Sequence, residues 1–152
     1  MYETIPCLWE QSYKQFYRSY CCPSFSKVFW EESDIQLLIG DGTFNKGLAF
    51  KHILLLAVTF NANNKLVVLC FAVVPVEDAD NWVWFHEMLK KDFPGFDVFM
   101  SDWDKGITSR RFQQSQEQAD AVSLRCTRHM AKSCQKTCGG TMSDEHINLI
   151  IN

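Results

Sequence analysis

The chain has 152 residues, the length of about one domain, and can bury roughly two thirds of the surface its unfolded form exposes. With 47% apolar and 14% aromatic residues it falls outside the disordered class, and its longest apolar run, Leu66 to Val76, is too short to cross a bilayer, so no membrane partner is expected. The net charge of −3 hides an uneven distribution: Glu77 to Asp104 carries eight acids against two lysines, and Lys105 to Lys136 carries seven bases against Glu117 and Asp120. Such a pairing suits a metal-dependent enzyme on a polyanion, although charges of this kind also form the solvated faces of helices.

In chain order, residues 1–34 are expected to form a helical extension. Tyr13, Phe16, Tyr17 and Tyr20 fall at helix-compatible spacing, Cys21-Cys22-Pro23 breaks the pattern, and Ser24 to Glu32 begins a second short helix with Phe25, Val28 and Phe29 inward. Regular structure is expected from Asp34 onward. Ile35 to Asp41 reads as a strand, Gly42 to Gly47 as a turn, Lys51 to Phe60 as a second strand and Leu66 to Val76 as a third, with Asn61-Ala-Asn-Asn64 as the hairpin turn. Cys70, inside an apolar run, is core filler. The seven cysteines have no scaffold-like spacing, and no secretory segment is evident, so reduced thiols are expected.

Asp78-Ala-Asp80 supplies N-cap candidates for a helix to about Asp92, with Trp82, Phe85, Met88 and Leu89 on one face. Trp82 and Trp84, two residues apart, point in different directions; Trp82 is expected on the sheet and Trp84 in a groove or under an insertion missing from the sequence as given. Asp97 to Ser101 is the fourth strand, Lys105 to Ala119 a polar helix, Ala121 to Arg125 a fifth strand and Thr127 to Thr137 a third helix. Residues 35–138 thus form the core, and 139–152 begin a further helical segment that the sequence as given cuts short.

The order β-β-β-α-β-α-β-α is that of the ribonuclease H-like fold: an α/β architecture with a mixed five-stranded sheet, three antiparallel strands followed by strands alternating with helices. There the first and fourth strands are parallel neighbours, so Asp41 and Asp102, each ending an apolar run, face one another at one sheet edge, where open α/β sheets bind ligands. Each aspartate alone reads more simply as a turn or cap residue. Two carboxylates so close repel unless a cation lies between them, and Mg²⁺ is the hard ion usually held by one or two carboxylates. A pair of such ions suits phosphodiester displacement.

The same residues resemble the transposase domain of Mutator-like elements (MULE). Asp41-Gly-Thr-Phe-Asn-Lys-Gly47 resembles the family's D-G-T-F-x-K-G block, and His52 to Ala72 its paired core strands. Asn81-Trp-Val-Trp-Phe85 is similar to its S-W-x-W-F helix with Asn81 for serine, Ser101-Asp-Trp-Asp-Lys-Gly-Ile107 to S-D-x-x-K-G-I, and Cys126-Thr-Arg-His129 to C-x-x-H. The resemblance implies a ribonuclease H-like DDE transposase core that cleaves and joins DNA with Mg²⁺ or Mn²⁺, two ions in the complete site. It implies Asp41 and Asp102 as catalytic and metal-binding acids, transposon ends and target DNA as partners, a homo-oligomer, and nuclear localisation without an identified targeting signal.

Asp104 competes with Asp102, but its place beyond the strand suits capping. The family's third acid follows C-x-x-H after a long, mostly helical insertion, whereas the sequence as given runs only 23 residues past His129; Glu145 is the one late glutamate. The expectation is therefore an incomplete catalytic set. Cys126 and His129, at i and i+3, share one helix face and are expected to position the third helix near the acids. With Cys134 and Cys138 they match zinc spacing, but helical spacing suits packing equally, and zinc is not expected. Three readings follow: a transposase catalytic core, a domesticated or decayed DNA-binding derivative, or another ribonuclease H-like nuclease using Glu145.

Overall fold

The computed structural model describes residues 1–6, 14–33, 36–44, 52–102 and 122–137. Within them the elements run β1 (Tyr2–Pro6), β2 (Lys14–Cys21), α1 (Ser24–Glu31), β3 (Leu37–Phe44), β4 (Ile53–Phe60), β5 (Leu66–Val74), α2 (Ala79–Asp92), β6 (Val98–Ser101), β7 (Val122–Arg125) and α3 (Thr127–Thr137). One mixed sheet takes all seven strands in the order β1-β2-β5-β4-β3-β6-β7. The helix expected over Lys105 to Ala119, Asp104, Cys138 and Glu145 lie outside the described residues.

From β3 onward the strands follow the expected order. β3, β4 and β5 form an antiparallel meander, and α2 returns the chain so that β6 lies parallel to β3 and β7 parallel to β6. The β4–β5 hairpin turns on asparagine chemistry: the Asn61 side-chain Oδ1 accepts from the backbone N–H groups of Asn63 (3.0 Å) and Lys65 (2.9 Å), and Asn64 takes a positive φ of 57°. α2 starts where Asp78 accepts from the Asn81 N–H at 2.9 Å.

The N-terminal segment corrects two expectations. Lys14–Cys21 is a strand, not a helix, and it pairs antiparallel with β5 through Ser19↔Val73, Tyr20↔Ala72 and Cys21↔Phe71. The aromatic spacing that suggested a helix belongs to residues whose intrinsic preference is β, and sheet pairing prevails. The sheet therefore has seven strands rather than five. α1 does form, but Phe25 and Val28 are exposed; its buried residues are Ser26 and Trp30. The Trp30 ring packs edge-on to Phe93 at 5.3 Å, and Ser26 Oγ donates to the Leu69 carbonyl at 2.6 Å.

Three polar links tie the N-terminal segment to α2. Tyr20 Oη donates to Asp92 Oδ2 (2.8 Å), Lys27 Nζ meets Asp92 Oδ1 (2.7 Å), and Arg18 Nη1 donates to Asn81 Oδ1 (3.3 Å). The Arg18 guanidinium also lies 4.3 Å from the centre of the Trp84 ring. Trp84 is thus covered by β2 and buried, while Trp82 on the other side of the helix enters the core. Asn81 is fully buried because its Nδ2 finds both the Val76 carbonyl and Asp78 Oδ1, each at 3.0 Å.

Side chains alternate across the sheet. Leu38 and Gly40 of β3, Leu55 and Ala57 of β4, and Phe99 and Ser101 of β6 are buried on the face that α1 and α2 cover. Between Ala57 and Val58 the β5 register slips past Leu69, so Leu69 and Cys70 are both buried. Burial pushes the Cys70 thiol up to about 12, which makes it inert packing.

Gly40 is fixed by close approach. A Cβ there would lie 2.6 Å from Phe99 Cζ, and that ring is itself held against His86 and Phe96. Gly40→Val is expected to lower stability by about 1–3 kcal/mol through overpacking. A fall in the urea midpoint at unchanged slope would show it; an unchanged midpoint would mean that the Phe99 ring moves aside freely.

Candidate metal centre

Three parallel strands set the site by register. Gly40 of β3 pairs with Ser101 of β6, which pairs with Arg125 of β7. One residue further along stand Asp41, Asp102 and Cys126, and the Cys126 N–H donates to the Ser101 carbonyl at 2.8 Å. Because Gly40 and Ser101 point into the core, Asp41 and Asp102 project from the opposite face. β6 stops at Ser101, so past Gly40 the pairing of β3 continues on its β4 side. Asp41 therefore sits inside β3, which runs on through Gly42 to Phe44 where a turn was expected.

α3 begins at Thr127, directly after β7, and its first turn carries His129. Asp41, Asp102 and His129 each offer a ligand atom, all three atoms lying within 4.8 Å of one another, and each residue is half-buried. Among the described residues they form the one such group. Ligands around an ion with bonds of about 2.1 Å are separated by roughly 3–4 Å, so small side-chain adjustments bring these three onto one cation. His129 Nδ1 is buried and makes no hydrogen bond. Cys126, half-buried and free, is not among the three; of the zinc spacing, Cys138 lies outside the described residues, as does the Cys134 side chain.

A third carboxylate near β3 went unnoticed in the sequence. A Cβ at Gly42 would lie 2.3 Å from Glu77 Oε1, so the glycine after Asp41 leaves room for the Glu77 carboxylate. Glu77 Oε1 also accepts from Trp82 Nε1 at 3.3 Å. Side chains at 41 and 42 point to opposite faces, so Glu77 caps the strand behind Asp41 and does not join the metal-ligand group. No local motif signals this contact, because its partners lie 35 positions apart.

The fold and the site together define an α/β domain that brings together a carboxylate within β3, one just past the end of the parallel β6, and an imidazole from the helix after β7. Residues 37–133 match the family described as MULE transposase domain, more than half of the chain, and the protein belongs to that family. Membership ties it to transposase-related function and implies interaction with DNA and use of a divalent metal. No curated protein matches the sequence. Among the described residues no helix is long and apolar enough to cross a membrane.

Proposed function

We propose that this chain is the catalytic core of a DNA transposase of ribonuclease H-like type, cutting and joining phosphodiester bonds at transposon ends. The observation that carries the proposal is the convergence of Asp41 and Asp102, 61 positions apart, within ligand-sharing distance. The donor set fits a divalent cation: carboxylates at this separation repel when both are ionised, and a cation reverses the sign of that interaction.

When bound, such an ion supplies charge stabilisation for the phosphoryl oxygens and a more acidic attacking hydroxyl. The protein's own part is placement. Asp41 is held in mid-strand by its pairing with Leu56, and Asp102 is fixed by the β3–β6 ladder immediately before it. Arg128, exposed and next to His129 in the first turn of α3, offers a cation for a phosphate backbone.

Asp41→Asn and Asp102→Asn, each in the full-length protein, are expected to reduce Mg²⁺- or Mn²⁺-dependent nicking of transposon-end DNA by at least about a thousandfold with circular dichroism unchanged. A folded mutant that still cuts at the original rate would sink the proposal. Metal binding without cleavage in the unsubstituted full-length protein would instead favour a non-catalytic, DNA-binding derivative.

A further inference from the structure

We infer that His129 is a third ligand of the cation held by Asp41 and Asp102, and that it tunes the site toward a transition ion of the Mn²⁺ class over Mg²⁺. The inference rests on the metal-site reading above and goes beyond it in assigning a nitrogen donor and an ion preference.

Two observations carry it. A His129 ligand atom lies within 4.8 Å of an oxygen of each acid, and the two acids lie within the same limit of one another. His129 Nδ1 is also buried without a hydrogen-bond partner, and a buried polar nitrogen left unsatisfied costs free energy. Coordination through Nδ1 gives that buried nitrogen the partner it lacks among the described residues. The backbone sets the placement. β7 is in register with β6, the Cys126 N–H extends that ladder onto Ser101, and the Cys126 carbonyl accepts from the Met130 N–H at 3.1 Å, so the helical turn carrying His129 grows directly from the sheet edge that carries Asp102.

Ligand chemistry supplies the preference. Mg²⁺ demands oxygen donors and keeps its waters, whereas imidazole binds the first-row transition ions increasingly well from Mn²⁺ onward. Two carboxylates with one imidazole is a mixed donor set that Mn²⁺ satisfies better than Mg²⁺.

Pulsed electron paramagnetic resonance of Mn²⁺ bound to the full chain tests the inference without any reaction. The expected echo envelope shows ¹⁴N modulation from a directly coordinated imidazole, which His129→Gln removes while the ion stays bound. Calorimetry should show Mn²⁺ affinity falling about tenfold or more in His129→Gln, with Mg²⁺ affinity changing by less than about threefold. Mn²⁺ that binds in an Asp102-dependent way without nitrogen modulation, or with modulation surviving in His129→Gln, overturns the assignment of His129 and leaves the acids standing. Mn²⁺ binding that is absent, or indifferent to Asp102→Asn, overturns the site and this inference together.

Discussion

In EDTA, Asp102→Asn is expected to unfold at a higher temperature than the unsubstituted protein, and in excess Mn²⁺ the order is expected to reverse. Asp41 and Asp102 offer oxygens within 4.8 Å of one another. At that separation two unit charges repel by about 1–3 kcal/mol for effective dielectric constants between water and a protein surface, and half-exposed groups fall at the lower end. Asparagine keeps the shape and one acceptor oxygen while removing the charge. The gain without metal is about 1 kcal/mol, or roughly 2–4 °C for a chain of this size. With the ion at a hundred times its dissociation constant, the unsubstituted protein gains about 2.7 kcal/mol that the mutant forgoes. Differential scanning fluorimetry in the two buffers measures both. An Asp102→Asn protein less stable than the parent in EDTA would mean that the carboxylate is structural, held for its hydrogen bonds rather than for a cation.

That opposition between stability and metal binding was legible in the sequence to the extent that strand order was. Ile39, Leu54 to Val58 and Leu66 to Val74 alternate or run apolar in a way that only strands explain, and one helix between the third and fourth strands suffices to make β6 parallel to β3. Asp41 and Asp102 then become neighbours by topology alone. What the sequence concealed depends on contacts between distant segments. Lys14–Cys21 carries tyrosines at spacings compatible with a helix, and its strand character emerges only when the β5 edge offers backbone partners. Trp84 is covered by Arg18 from that same strand, not by a later insertion, so its cover too emerges only with the pairing of β2 and β5. The Glu77–Gly42 contact is likewise invisible locally. His129 was singled out for its spacing from Cys126, yet spacing does not say which member of such a pair reaches the acids. The register of β7 against β6 brings Cys126 level with the acids, and the first turn of α3 then carries the His129 ring, not the thiol, to within 4.8 Å of both carboxylates.

Between pH 7 and pH 4.5 the protein is expected to lose stability in a way that His86→Phe largely abolishes. His86 is fully buried, edge-on to Phe96 at 5.6 Å and Phe99 at 5.5 Å. Burial lowers its pKa to about 4, with Lys90 adding to the shift and Glu87 opposing it. In the unfolded chain the imidazole titrates near 6.5. The folded state therefore favours the neutral ring: its contribution is complete above about pH 6.5 and declines as the unfolded chain takes up a proton that the native ring refuses, until about pH 4. A gap of about 2.5 pH at 1.36 kcal/mol each sets the full effect at about 3 kcal/mol, a large share of the stability of a domain this size. Urea unfolding at several pH values, with and without the substitution, isolates this group from the carboxylates that titrate below it; parallel slopes would refute the assignment. The functional consequence follows from position. The Phe99 ring that His86 supports fills the space over Gly40, and Gly40 pairs with Ser101 immediately before the two acids. Protonation of the folded His86 near pH 4 thus loosens the packing that aligns Asp41 with Asp102, so acid disturbs the site from behind the sheet as well as at the carboxylates themselves.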